Sequence, residues 1–431
     1  MRVAIIGAGP AGLFLGATLA RRGHAVTAVD RDGGPEPDGS WSRRGVMQFH
    51  HPHGVRPQVG EALRAELPEA YDACLAAGAE PLSFVLDDGT RVSGGLRMRR
   101  ETFERALRSV AVREPGFAVV RGHADRVVLD EGRARGLVVD GDPLDADLVV
   151  DASGRAGRIT REYAGEPELV GDTGAAYVSR QYRLHDPADP GPMTNPLAWQ
   201  ADLDGYLAIV FRHERGIFSV LIVRPAGTLH DLRHEVAFDA ACRAIPGLSD
   251  WTDPQRATPI TPVLPGGRLH NHYRAQPGIP GLVLVGDSVC TTTPMFGRGL
   301  ATTMLQCAEL LRRIDTGDLD GFGAWCDAEM RPWVADHVRC DDAARRIWDG
   351  GDVDLAAPLP STQILAAAAV EPRIAAAMGP YLGMRAGPSC LDAVEPLAHA
   401  IYESGWRPTP SDGPSRDELT GILRSAVAAG L

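Results

Sequence analysis

The sequence predicts an α/β chain: a parallel sheet wound with helices, interrupted by an inserted antiparallel β-sheet and followed by a C-terminal helical region. Three observations predict it. The first thirty residues run strand, glycine-rich turn, helix, strand. From about residue 175 the apolar residues alternate with period two. Beyond about residue 331 the chain is Ala-rich and helical in pattern.

Arg2-Val-Ala-Ile-Ile6 is a short apolar run that reads as a buried strand, and Gly7-Ala-Gly9-Pro10-Ala11-Gly12 follows at once. Leu13 to Arg22 carries Leu13, Leu15, Leu19 and Ala20 with small residues between, a helix able to lie close on a sheet. Ala25 to Val29 is a second strand, and Asp30 ends it, 18 residues after Gly12 (30 − 12). Each part has a mechanical reason. Gly7 permits the tight turn, Gly9 lets a pyrophosphate approach the backbone, and Gly12 lets helix and strand pack. The helix N-terminus presents unpaired N–H groups to phosphate, and Asp30 can accept ribose hydroxyls. The motif points to a dinucleotide and leaves FAD and NAD both open.

Arg31 to Ser40 is polar and rich in Gly, Pro and Asp, and reads as loop. Trp41 to His53 leads into a helix over Pro57–Leu67, and Phe103 and Leu107 share a helical face after Arg99 and Arg100. Short strands are expected over Phe117–Arg121, Arg126–Leu129, Gly136–Val139 and Leu144–Val150, the last running into Asp151-Ala-Ser-Gly154. Ala176 to Leu184, Tyr206 to Arg212 and Ile217 to Val223 alternate as antiparallel strands with one face covered. A helix is expected over 231–245, a buried strand before Gly286-Asp287, and a long helix from Gly299 to Ile314. The last element, Ser415 to Ala429, opens with the capping box Ser415-Arg-Asp-Glu418. The expected organisation is 1–174 and 274–330 as two parts of one domain, 175–273 as the inserted sheet, and 331–431 as the helical region.

The 431 residues carry 44 basic against 56 acidic side chains, a net charge of −12, with no basic block to favour nucleic acid or an anionic membrane. Every basic residue among the 44 is arginine, since the chain contains no lysine. Seven scattered cysteines without CxxC spacing suggest neither a zinc site nor a disulfide framework, and reduced thiols imply a cytoplasmic protein. The first strand starts at residue 2, which leaves no room for a signal peptide, and no apolar run reaches a membrane-spanning length. His50, His51 and His53 lie near no evident further donor set, so no metal is expected there; His53 is a candidate for a role beside the cofactor.

Four segments in chain order resemble the FAD-dependent monooxygenase superfamily with the para-hydroxybenzoate hydroxylase fold. They are the N-terminal fingerprint; Arg100 with Phe103 and Leu107; Asp147-Leu-Val-Val-Asp151-Ala-Ser-Gly154; and Gly286-Asp287-Ser-Val-Cys290-Thr-Thr-Thr-Pro294-Met-Phe-Gly297-Arg-Gly299-Leu300. The resemblance spans roughly residues 1 to 330 and implies a Rossmann-type FAD-binding domain with an inserted substrate sheet. The Asp-Ala-Ser-Gly form, with Cys290 where phenolic hydroxylases have histidine, resembles the epoxidase-like branch of specialised metabolism, antibiotic biosynthesis included. Carried over residue by residue, the resemblance assigns FAD to Gly7, Gly9, Pro10, Ala11, Gly12 and Asp30 with Arg31. It adds Arg43, Arg44, Gln48 and Arg100, then Asp151 and Gly154, and finally Gly286, Asp287, Pro294, Gly297, Gly299 and Leu300.

The implied reaction inserts one oxygen atom of O₂ into an apolar or aromatic small molecule, by hydroxylation or epoxidation through a flavin C4a-hydroperoxide. NADPH or NADH supplies the electrons, or a partner flavin reductase delivers reduced flavin. Tyr177, Tyr182, Trp199, Tyr206 and Phe211 are candidates for the substrate wall, and Pro294, His53, Arg180 and Arg212 for the reacting region. Flavin-dependent halogenases of this fold resemble a W-x-W-x-I-P pattern and depend on an active-site lysine, and this chain has neither. An FAD-dependent reductase or dehydrogenase, and a non-catalytic flavin-binding interaction protein, are the alternatives.

Overall fold

The computed structural model describes residues 1–43, 45–85, 89, 91–155, 157–195, 198–267 and 270–430. A five-stranded parallel sheet runs in the order Leu282–Leu284, Leu148–Asp151, Arg2–Ile6, Ala25–Asp30, Phe117–Arg121. Its strands read as unbroken apolar runs because both faces are covered. Val3 and Ile5 pack toward helices Pro10–Arg21, Arg100–Ala111 and Gly299–Thr316. Ala4 and Ile6, one residue out of phase, pack on an antiparallel meander, Ala124–Asp130, Arg133–Val139 and Asp142–Asp145.

The single strand expected over Leu144–Val150 is therefore two. Asp142–Asp145 closes the meander and Leu148–Asp151 enters the parallel sheet. The chain changes sheets at Ala146, whose N–H donates to the Arg135 carbonyl, and Asp147, whose N–H donates to Arg2. The helix expected over 231–245 is Glu235–Ala244, preceded by the 3₁₀ turn His230–Arg233.

The inserted sheet has six strands, in the order Ala198–Leu203, Tyr206–Arg212, Ile217–Pro225, Ala175–Leu184, Ala257–Pro259, with Leu264–Gly266 also on Ala175–Leu184. Register sorts its side chains. Tyr206, Ala208 and Val210 point to one face with Val178 and Tyr182, where Glu235–Ala244 and the last helix, Arg416–Gly430, cover them. Leu207 and Ile209 point to the other face with Tyr177, Leu221 and Val223.

From residue 331 the chain is helical, as the sequence predicts: Arg331–Trp348, Ser361–Ala367, Pro372–Leu382, Glu395–Glu403 and Arg416–Gly430. The capping box forms, with the Ser415 N–H donating to Glu418 at 2.8 Å and the Glu418 N–H donating to Ser415 Oγ at 3.3 Å. Trp333 is buried with Ala301 of the long helix, while Trp348 packs beside the inserted sheet. No helix of the described residues is long and apolar enough to cross a membrane. All seven cysteines are free thiols.

Gly12 shows how tightly the first turn is packed. A Cβ there would fall 1.9 Å from the Gly7 carbonyl oxygen, and Gly7 itself holds φ +99° against the Ala152 carbonyl. Gly12→Ala forces strand and helix apart, so we expect a loss of about 1–3 kcal/mol in urea unfolding.

Candidate functional site

A cavity of about 2160 Å³ runs between the parallel sheet, the inserted sheet and the C-terminal helices. Ligand pockets for one small molecule are usually about 300–1,000 Å³. This one has room for a large cofactor and a second molecule.

At one end lie Gly7, Gly9, Pro10 and Ala11, with the N-terminus of helix Pro10–Arg21 opening onto the space. A Cβ on Gly9 would meet nothing nearer than the Arg43 guanidinium at 3.9 Å. Gly154 and Gly299, also in the lining, have nothing within 4 Å. These backbones face open space, unlike Gly12, which serves packing and does not line the cavity.

Asp30 and Arg31 line this end, and the Asp30 carboxylate is already engaged. It accepts from the Ala8 N–H at 2.6 Å, from the Asp32 N–H at 2.9 Å and from Arg43 at 3.1 Å. Arg43 also binds Glu104, whose second oxygen accepts from Arg100 Nε at 2.6 Å. Arg44 lies outside the described residues. Asp151, expected at the cofactor, lies beneath the surface instead. It accepts from the Ser153 N–H at 2.9 Å and the Thr160 hydroxyl at 2.5 Å, so it shapes the turn that puts Gly154 in the lining.

Asp287 is different. Its carboxylate has no hydrogen-bond partner among the described residues, and it lines the cavity beside Gly286. Burial raises its pKa, with Arg100 and Arg155 opposing. An acceptor so placed suits a hydroxyl-bearing ligand.

Farther along, Pro294, Gly297, Gly299 and Leu300 line the cavity, as do Gln48 and His53. The Arg56 guanidinium holds this loop, donating to the carbonyls of Phe296 at 2.5 Å and Gly297 at 3.2 Å. It also donates to the Leu382 carbonyl at 2.6 Å, tying the C-terminal region to this loop. Burial pushes Arg56 down to about 10, with Arg298 adding repulsion.

His51 is held by Ser179 of the inserted sheet, Nδ1 to Oγ 2.7 Å, and its ring stands edge-on to Tyr177 at 4.9 Å. His53 Nδ1 lies 2.9 Å from the His51 carbonyl and its Nε2 3.3 Å from Arg100. Burial lowers His51 to about 4 and, with Arg100 beside it, His53 to about 3. Both rings are neutral at pH 7. Among the described residues no group of three His, Cys, Asp or Glu side chains is placed to hold a metal.

The inserted sheet gives Tyr177, Ile209, Phe211, Leu221 and Val223 to the lining. Three expected wall residues, Tyr182, Trp199 and Tyr206, are on the opposite face, in the core under the two covering helices. Arg180 is also turned away, donating to Asp239 at 2.9 Å, Glu235 at 3.0 Å and the Thr261 carbonyl at 3.0 Å. Arg212, at the strand end, does line the cavity.

Sequence reasoning missed Glu104, Arg56, His51 and Arg298. Arg298 is fully buried between Phe296, Trp333 and Tyr381, at 4.3–4.8 Å, with Asp336 at 3.4 Å. A charged residue between two motif glycines was the available signal.

A family profile described as "Lycopene cyclase protein" matches residues 2–177. Protein Rv3254 of Mycobacterium tuberculosis is 24% identical over 356 residues, 72% of each chain. Among solved structures, PqsL, described as a probable FAD-dependent monooxygenase from Pseudomonas aeruginosa, superposes with a TM-score of 0.59 at 15% identity, covering 81% of this chain and 98% of its own. The flavin-dependent halogenase CmlS superposes with a TM-score of 0.60 at 17% identity, covering 99% of this chain and 77% of its own. The flavin-dependent brominase Bmp2 gives 0.54 at 17%, covering 100% and 99%. At these identities the likeness is one of fold, and it is the fold class the sequence predicts: a parallel sheet wound with helices, an inserted antiparallel sheet and C-terminal helices.

Two pH dependences follow from the buried groups. Unfolded histidine titrates near about 6.5, so between there and about 4 the unfolded chain binds a proton that folded His51 refuses. Stability therefore falls as pH drops through that window, by up to about 1.4 kcal/mol per pH unit, and His51→Gln flattens the fall. Asp341 has the opposite sign: burial raises it to about 7, so its contribution is present at low pH and lost as pH rises through 7. Asp341→Asn, able to keep the bond from Asn271 at 2.6 Å, should exceed wild type at pH 8 by about 1–3 kcal/mol in urea unfolding.

Proposed function

We propose that this chain, built on the fold of the FAD-dependent monooxygenase superfamily, is an FAD-dependent monooxygenase that places one oxygen atom of O₂ on an apolar or aromatic small molecule. The supporting observation is the continuity of one cavity, from the Gly9 turn past Asp287 and the Pro294–Leu300 loop to the apolar face of the inserted sheet.

The residues present fit FAD. The Gly7–Ala11 backbone and the helix start would take the pyrophosphate, as neighbouring N–H groups and the helix dipole favour negative charge. Asp30 would meet the adenosine ribose through its remaining lone pairs, and Arg43 and Arg100 would lie near the phosphates. Asp287 would accept from ribityl hydroxyls, which ends its isolation. The Gly297–Leu300 backbone would flank the ring, with the N-terminus of helix Gly299–Thr316 favouring charge at its edge. When bound and reduced, FAD supplies the electrons that activate O₂.

The protein's own part is positioning and exclusion. Tyr177, Ile209, Leu221 and Val223 present an apolar wall that keeps water from the reacting atoms. Neutral His51 and His53 offer hydrogen bonds without placing a charge against that wall. Pro294, Gln48 and Arg212 frame the substrate from other sides. Electrons come from NADPH or NADH, or as reduced flavin from a separate reductase. Halogenation is not proposed, because no lysine is present to direct it.

The purified protein should show flavin absorption near about 375 and 450 nm. With a turned-over substrate, ¹⁸O₂ should leave label in the product; turnover without label would mean a reductase or dehydrogenase. NAD(P)H consumption with and without an added flavin reductase identifies the electron route. Gly9→Ala adds a methyl only to open space, so unfolding should stay within about 0.5 kcal/mol of wild type. FAD affinity should nevertheless drop at least about tenfold by fluorescence titration.

A further inference from the structure

His51 follows the 3₁₀ turn Met47–His50, where that loop meets the inserted sheet. It is 6% exposed, and it lines the cavity. Two contacts fix its ring. Nδ1 lies 2.7 Å from Oγ of Ser179, which is itself fully buried, and the ring stands edge-on to Tyr177 at 4.9 Å. Nε2 makes no hydrogen bond among the described residues, yet it is not one of the nitrogens sealed in the interior without a partner. It is open to the cavity.

The neighbouring histidines show what is particular to this one. His213 makes the same kind of pair with the adjacent strand, Nε2 to Ser219 Oγ at 2.8 Å. But His213 is 1% exposed, its Nδ1 is sealed, and it does not line the cavity. That pair serves packing. His53 lines the cavity with both nitrogens engaged, at the His51 carbonyl and at Arg100. His50 faces Glu101 at 3.5 Å and is not in the lining. Among the described residues, His51 alone of the four brings an unpaired nitrogen to the cavity.

Strand register says what lies beside that nitrogen. Ser179 pairs with Leu221, Leu221 with Ile209, and Ile209 with Gln200. Directly opposed residues share a face, so His51 heads a row that runs through Leu221 and Ile209 across the cavity wall. The next row starts with Tyr177 and Val223, which border the same small recess as Pro294. The free nitrogen therefore stands at the end of an apolar strip, one aromatic ring from the Pro294 loop. The Ser179 hydroxyl can donate to Nδ1 or accept from it. In the first case Nε2–H donates into the cavity, and in the second Nε2 accepts. Burial keeps the ring uncharged at pH 7, so it gives an anion no advantage.

We propose that His51 is a substrate-binding residue, and that the substrate carries a neutral oxygen, hydroxyl or carbonyl, which Nε2 binds while its apolar body lies along Leu221 and Ile209. This rests on the monooxygenase reading, which puts the reaction at the Pro294–Leu300 loop.

The test compares 2-naphthol with 2-methylnaphthalene, nearly equal in shape, as competitors of the neutral dye N-phenyl-1-naphthylamine on the purified holoenzyme. His51→Phe should weaken 2-naphthol at least about tenfold and leave 2-methylnaphthalene within about twofold, because the buried hydroxyl loses its partner. His51→Gln, which carries an amide toward the place of Nε2, should recover part of that loss. Ser179→Ala, which frees the ring, should weaken 2-naphthol by about threefold and spare 2-methylnaphthalene. The same comparison of 2-acetylnaphthalene with 2-isopropylnaphthalene separates carbonyl from hydroxyl recognition. Equal weakening of oxygen-bearing and oxygen-free ligands by His51→Phe overturns the proposal, as does no weakening of either. Tighter binding of 2-naphthoate than of 2-naphthol overturns it too, and so does a loss of FAD affinity in His51→Phe with ligand affinities unchanged, which would put the ring at the cofactor. The flavin bands of the same samples keep the two readings apart. A His51-dependent oxygen preference without flavin sinks the monooxygenase reading alone, and flavin without that preference sinks the His51 site alone.

Discussion

A carboxylate with no access to water, Glu104, holds the cofactor end of the cavity together. Burying a charge is tolerable only when it is paired and hydrogen-bonded, and Glu104 meets that need with Arg43 on one oxygen and Arg100 on the other. Arg43 in turn reaches Asp30 at the end of the second strand. The polar segment after that strand, a loop by composition, is thereby pinned against helix Arg100–Ala111. Removing one partner from such a cluster leaves an uncompensated buried charge, which typically costs about 3–5 kcal/mol. The start of the same helix also binds the inserted sheet. Glu214 accepts from the Arg99 N–H at 2.8 Å, from Arg99 Nε at 2.7 Å and from the Thr102 hydroxyl at 2.6 Å. One helix start therefore sets the distance between the two sheets that enclose the cavity.

A second buried hub fastens the C-terminal region. Asp336 accepts from the Tyr381 hydroxyl at 2.7 Å and from Ser361, and it faces Arg298 at 3.4 Å. Arg298 sits between the two glycines of the loop that lines the reacting end. The helices after residue 331 are therefore fixed to that loop, and Arg56 joins the loop to Leu382 from the other side. The region also lines part of the cavity, through Gly379, Pro380, Leu382, Gly383 and Arg385. Its last helix does something else, packing Leu419 and Leu423 on the back of the inserted sheet.

That packing explains why three aromatic residues expected at the cavity wall, Tyr182, Trp199 and Tyr206, lie on the other face of the sheet. Alternation in a strand separates two faces but does not say which of them meets the ligand. Tyr206 and Phe211 lie on one strand with opposite parity, and only Phe211 lines the cavity. Trp199 and Tyr182 are on the face of Tyr206, where the covering helices come from residues 235–244 and 416–430. Arg180 follows the same parity and finds its carboxylates on Glu235–Ala244.

The sequence by itself determined the parallel sheet, the glycine turn and the order of the domains' elements. It also named the backbone stretches that line the cavity, Gly7–Ala11 and Gly286–Leu300. These depend on interactions local in the chain: apolar runs, turns that require glycine, and a helix that begins where a strand ends. Only the tertiary structure decided what depends on residues distant in sequence. It put Asp151 under the surface and Asp287 into the cavity, although both lie at or just past strand ends in matching motifs. It brought Glu104 to Arg43. It also chose the sheet face that meets the ligand, because that choice rests on which distant helices cover the other side.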